Sequence, residues 1–76
     1  MTAPCKLILL VLRAYHEQRG YMPTLGELAG LCAYNSPQAA KYHLDRLVAD
    51  GYVNRDGRGM GKVAVSEKGK AWHSSV

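Results

Sequence analysis

Seventy-six residues carrying a net charge of +4, with a pI near 9.3, leave room for one small domain and a single modest core. At 47% apolar residues the chain folds rather than stays disordered, and its surplus of Lys and Arg favours a polyanionic partner. The apolar run at residues 7–12 is far shorter than the about 20 residues of a membrane span, and no small-residue cleavage site follows it as a secretory leader requires.

The first element is a helix over residues 4–19. Thr2 can cap it, Pro4 suits its first turn and Gly20 its end. Ile8, Val11, Leu12 and Tyr15 form one apolar edge and Leu7, Leu10 and Ala14 an adjacent one, while Leu9 is expected to point away beside Arg13 and His16. A stripe this wide exceeds what one helix face needs. Two readings stay open: burial against a second protomer, a partner protein or the C-terminal segment, and a few exposed leucines on a monomer.

After an extended link at Tyr21, Met22 and Pro23, a second helix spans residues 24–32. Thr24 and Glu27 have capping-box spacing, and Leu25, Leu28, Ala29 and Leu31 are its expected buried side. The link at Cys32, Ala33, Tyr34 and Asn35 is short, so the next helix folds back at once. Ser36 is its N-cap candidate and Pro37 its first residue. Two helices across so brief a turn make a helix-turn-helix.

The third helix, residues 36–50, has two faces. At about 100° per residue Ala40, Leu44, Leu47 and Val48 line one side. Gln38, Tyr42, Asp45 and Ala49 line the other, with Ala39 and Lys41 at its borders and Arg46 beside it. An amide, a phenol, a cation and small residues near the N-terminal turn can read base edges and thymine methyls in a major groove. An ordinary solvated face has the same pattern, so this helix alone leaves both readings open.

Gly51 ends that helix. Residues 52–55 alternate as a strand, residues 56–61 form a loop with three glycines, and residues 62–65 form a second strand, together a wing-like hairpin at 52–65. Arg55, Arg58 and Lys62 cluster at its tip and rim, where glycine allows close approach to a phosphate. Seven of the ten cations lie from Lys41 onward, so positive charge gathers on the third helix and the hairpin. In the C-terminal segment, residues 66–76, Ser66 begins a capped turn interrupted by Gly69. Trp72 is expected to pack back on the domain, the first helix being one place for it.

Cys5 and Cys32 lie far apart in apolar surroundings and read as buried free thiols. His16, His43 and His73 sit in no ligand spacing, and His43 reads as a packing residue. No metal or cofactor is therefore inferred. No nucleophile elbow, phosphate loop or paired-carboxylate motif occurs, nor a pattern that builds a polar cleft, so the chain is read as not an enzyme, with no catalytic residue.

The order Gly20-Tyr21-Met22-Pro23-Thr24, Glu27-Leu28-Ala29, Ser36-Pro37-Gln38-Ala39-Ala40, His43-Leu44, Leu47 and Gly51-Tyr52-Val53 resembles the DNA-binding domain of the LexA repressor family. The resemblance covers residues 7–65 and finds no counterpart of that family's self-cleaving protease domain or its dimer interface. It implies a mainly α fold with a small β-hairpin: a winged helix-turn-helix with a three-helix core and a two-stranded antiparallel wing. It also implies that Ser36, Gln38, Ala39, Lys41 and Tyr42 face the bases. Lys41 and Tyr42 replace the family's acidic pair, so its operator sequence is not carried over.

One domain over residues 1–76 that binds double-stranded DNA sequence-specifically is the resulting expectation: a small transcriptional repressor, cytoplasmic and nucleoid-associated, of prokaryotic or phage-like type. Gln38 is expected at adenine, Lys41 at guanine and Ala39 at a thymine methyl, with Ser36 and Tyr42 at a base or phosphate. Thr24, Arg46, Arg55, Arg58 and Lys62 are expected on the DNA backbone. A homodimer or protein partner would use the apolar helix 4–19. The alternative is a winged-helix module that binds protein and no DNA, favoured by that same helix and by Asp45, Asp50 and Asp56 near the reading surface.

Overall fold

Helix ends in this chain are set by residues that satisfy the backbone groups a helix leaves unpaired. The computed structural model describes residues 1–57 and 62–73. Thr2 Oγ1 accepts the Cys5 amide at 3.4 Å and opens α1 (Ala3–Arg19), which closes at Gly20 in the left-handed region. Thr24 and Glu27 complete a reciprocal capping box at the start of α2 (Leu25–Leu31): Glu27 N–H donates to Thr24 Oγ1 and Thr24 N–H to Glu27 Oε1, both at 3.1 Å. Next come α3 (Pro37–Ala49), β1 (Val53–Arg55), β2 (Val63–Val65) and α4 (Glu67–Ala71). The strands pair antiparallel, Val53 with Val65, Asn54 with Ala64 and Arg55 with Val63.

Helices α2 and α3 end in the same way. The Tyr34 amide reaches back to the Ala29 carbonyl and the Ala33 amide to that of Gly30. At the end of α3, Tyr52 likewise reaches Leu47 and Gly51 reaches Val48. Both are Schellman closures, which place one residue in the left-handed region. Gly51 (φ 84°) meets that demand without strain, whereas Ala33 (φ 60°) carries a Cβ there.

The core joins Cys5, Ile8, Leu9 and Leu12 of α1 to Leu28 and Ala29 of α2, Ala40, Leu44 and Leu47 of α3, and Val53 and Val63 of the hairpin. Burial of Leu44 and of Leu47 contributes about 1.5–3 kcal/mol each and fixes which side of α3 faces outward.

Several expectations need correction. Leu9 is fully buried, while Leu7 and Leu10 are each 43% exposed. The inward positions of α1 are Cys5, Ile8, Leu9, Leu12 and Tyr15, spaced by three or four, and Leu7 and Leu10 fall off that stripe. Leu31 is 56% exposed, because Leu28, Ala29 and Cys32 occupy the inward face of so short a helix. Ser36 stands at the N-cap of α3 but makes no side-chain cap. The strands begin one residue later than expected, at Val53 and Val63.

The C-terminal segment continues the fold. Ser66 Oγ accepts the Gly69 amide and donates to the Gly51 carbonyl at 2.6 Å, so α4 docks on the end of α3. Gly69 is buried, and a Cβ there would collide with the Tyr52 carbonyl oxygen and the Val65 side chain. The glycine that looked like an interruption of a helix is what lets α4 lie against the hairpin. Trp72 packs partly on the core, and its carbonyl accepts Arg13 Nη1 of α1 at 2.8 Å.

Candidate nucleic-acid interface

With Ala40, Leu44 and Leu47 turned into the core, helical geometry leaves the opposite face of α3 to solvent. Ser36, Gln38, Lys41, Tyr42 and Arg46 are exposed there and Ala39 is half-buried. Tyr42 is 61% exposed, much for an aromatic ring. It stands edge-on to His43 at 5.2 Å, and His43 stacks on Tyr34 of the turn at 5.6 Å. This row of rings braces the N-terminal half of α3 against the end of α2. His43 is therefore a packing residue, as its place in the sequence suggested.

The hairpin lies beside this face, since β1 follows directly from the closure of α3. Lys62 is exposed ahead of β2. Arg58, expected to hold a DNA phosphate, lies outside the described residues. Arg55 turns towards α3, where its Nη1 donates to Asp45 Oδ1 at 2.7 Å. The other oxygen of the same carboxylate accepts Lys41 Nζ at 2.9 Å. Three charged groups thus form one bridge between helix and hairpin. The hydrogen bond from Lys41, reinforced by Arg55, holds the Asp45 carboxyl below its ordinary pKa despite partial burial.

Thr24 stands differently from the α3 residues. Its hydroxyl and its amide are both engaged in the capping box, and the Glu27 carboxylate sits at that helix end. A phosphate approaching there would meet a negative charge and a hydroxyl already in use. Glu27 also accepts the Tyr15 hydroxyl at 3.2 Å. The Thr24 contacts, with Tyr15 adding to them, hold its carboxyl below the ordinary range, while burial followed by the Glu27 hydrogen bond raises Tyr15.

Residues 1–59 match the family described as "LexA DNA binding domain". The chain belongs to that family. A LexA repressor of Corynebacterium jeikeium (strain K411) is similar to it, at 39% identity over 51 residues, which cover 67% of this chain. The chain spans 19% of that relative's length. The architecture agrees with membership: three helices, with α2 and α3 forming the helix-turn-helix, followed by an antiparallel two-stranded wing.

Within this LexA-type fold, the sequence carries no sign of one contributor, Tyr34, and leaves the role of a second, Asp45, open among alternatives. Tyr34 was read only as part of a link, and its stacking on His43 needs a relation across the turn that periodicity does not carry. On sequence grounds Asp45 points at a cytosine amino group, pairs with a neighbouring cation or sits outside the contact, and the structure shows the pair, with Lys41 four residues away. Arg55 is ten residues away, and only the return of the chain through β1 brings it to the same carboxylate.

A cleft of about 370 Å³ lies between α1 and the β2–α4 side, lined in part by Arg13, His16, Glu17 and Lys70. The sequence pattern did not suggest a polar cleft, because its lining comes from opposite ends of the chain. Among the described residues it brings no Ser, Thr or Cys nucleophile to a base. Both cysteines are buried free thiols, burial raising the pKa of Cys32. Among the described residues no three His, Cys, Asp or Glu side chains cluster as metal ligands, and no helix is long and apolar enough to cross a membrane.

Proposed function

We propose that this chain is the reading part of a sequence-specific transcriptional repressor, with the N-terminal half of α3 in the major groove and the wing on the backbone. The observation that carries this reading is the outward face of α3. Its polar groups at Ser36, Gln38 and Tyr42 are exposed and have no part in the fold's own hydrogen-bond network among the described residues, on a helix whose opposite side is locked in the core. Gln38 offers an amide that can bond adenine in bidentate fashion, and Ala39 a methyl for thymine. Ser36 keeps its hydroxyl for a base or phosphate because it does not cap α3. Lys41 reaches guanine by leaving Asp45. Arg46, Arg55, Arg58 and Lys62 supply backbone contacts that set orientation and affinity. The helix start at Thr24 joins this set through its backbone N–H groups, since the capping box takes its hydroxyl. The chain acts by occupying DNA in the cytoplasm, at the nucleoid, and performs no catalysis.

The test is fluorescence anisotropy with a labelled random duplex at several salt concentrations, followed by selection of a preferred site. Binding should weaken with salt with a slope of about −0.9 per phosphate engaged. On the selected site, Gln38→Ala should cost about 1–3 kcal/mol and relax preference at one base pair. Equal weakening on all sequences would remove Gln38 from the bases.

A second reading rests on the exposed Leu7 and Leu10 of α1: this face takes a second copy or a partner protein, which in a DNA binder would add affinity through a second half-site. Absence of duplex binding even at low salt would leave a protein-binding module as the better reading.

A further inference from the structure

The bridge at Asp45 has a consequence for specificity. Asp45 stands on the side of α3 that carries Gln38 and Lys41, one turn beyond Lys41, and its two oxygens are each taken by a different cation at 2.9 and 2.7 Å. Lys41 and Arg55 come from different elements, so the carboxylate lies in the saddle between helix and wing. A duplex fitting this face passes over that saddle. Any DNA sequence presents phosphates to a free cation, and such contacts supply sequence-independent affinity. A cation that must first give up a carboxylate gains less from an arbitrary phosphate. The carboxylate also repels the phosphate backbone, while remaining able to accept a cytosine amino group.

We propose that Asp45 is a specificity-determining residue, which restrains Lys41 and Arg55 from indiscriminate phosphate contact and so lowers affinity for arbitrary duplex more than for the preferred site. This rests on the DNA-binding reading. It assigns the residue a role opposite to that of its cationic neighbours: Asp45 weakens binding in order to discriminate.

The experiment compares the full chain with Asp45→Asn, Asp45→Glu and Asp56→Asn. Anisotropy is read on a random duplex and on the sequence selected by the unmodified chain, across a salt series. Asp45→Asn should bind the random duplex about 8-fold more tightly near 0.1 M salt, the gain from about one further phosphate, and steepen the salt slope accordingly. Its preference for the selected sequence should fall. Asp45→Glu keeps the charge and should stay close to the unmodified chain. Asp56→Asn makes the same change in net charge on the wing and should leave the preference intact. If Asp45→Asn does not melt cooperatively, Asp45→Ser replaces it. In a Lys41→Gln, Arg55→Gln background only relief of the carboxylate's own repulsion remains, so the Asn substitution should raise affinity for the random and the selected duplex alike and leave the preference unchanged.

Random-duplex affinity and preference unchanged by Asp45→Asn, in a chain that binds DNA, would overturn this proposal alone. Equal effects from Asp45→Asn and Asp56→Asn would reduce it to net charge and overturn it too. A chain that binds no duplex at low salt overturns the DNA reading itself, and this inference with it.

Discussion

The two helices of the helix-turn-helix both start at a hydroxyl residue, and the two hydroxyls behave differently. Thr24 completes a reciprocal pair of hydrogen bonds with Glu27, and Glu27 reaches on to Tyr15 of α1. Ser36 occupies the same position on α3, and its side chain makes no cap. The contrast extends to the surroundings. Behind the wing Ser66 and Lys68 are tied to the end of α3 and Gly69 to Ser66, with Lys68 Nζ donating to the Asp50 carbonyl at 2.8 Å and lying 4.4 Å from the Tyr52 ring. On the outward face of α3 the polar groups engaged at all, Lys41 and Asp45, use exchangeable ion pairs at the surface. The supporting region satisfies its polar groups internally. The reading face leaves them available, as recognition of another molecule requires.

Substitutions in the two regions should therefore part company, stability responding in one and binding in the other. The largest effect is expected at Gly69. Gly69→Ala drives a Cβ into the Tyr52 backbone, which cannot swing aside like a side-chain tip, and should cost about 1–3 kcal/mol in a urea melt. An unchanged midpoint would mean that α4 is free to shift off the hairpin.

A smaller and more direct comparison sets Thr24→Ala against Ser36→Ala. Thr24→Ala should lower stability by about 0.5–2 kcal/mol through loss of the cap, while Ser36→Ala should leave stability nearly unchanged and be felt in DNA affinity. Equal losses of stability from both would erase the distinction drawn between the two helix starts.

The smallest effect is a pH dependence. Glu27 is held below its ordinary pKa in the folded chain, so below that range the unfolded state binds the proton more readily. Its contribution is present in full above the ordinary glutamate range and is lost as pH falls through the lowered folded value. Melts of the unmodified chain and of Glu27→Gln should converge as the solution is acidified. A constant difference down to strongly acidic pH would show that the carboxylate charge has no part in the cap.

Legibility varied with the range of the interaction. The capping box, the two-faced third helix and the hairpin all depend on residues a few positions apart, and each was visible. Leu9, Leu31 and Ser36 were misjudged. For Leu9 and Leu31 the deciding fact was which neighbour reached the inward face first. For Ser36 it was whether the backbone turned its hydroxyl onto the helix start. Ala33 gave no sign of its left-handed conformation, because the demand comes from closure of α2 and its residue type does not advertise it.

By itself the sequence determined the kinds and order of the elements, the buried side of α3 and the gathering of positive charge in the second half of the chain, since periodicity, caps and composition are local properties. Only the tertiary structure decided that Asp45 would hold Lys41 and Arg55 together, that Gly69 would be required for contact rather than tolerated as a break, and that Tyr34 would brace the reading helix through His43. Each of those joins residues on different elements, and their meeting depends on how the chain returns upon itself.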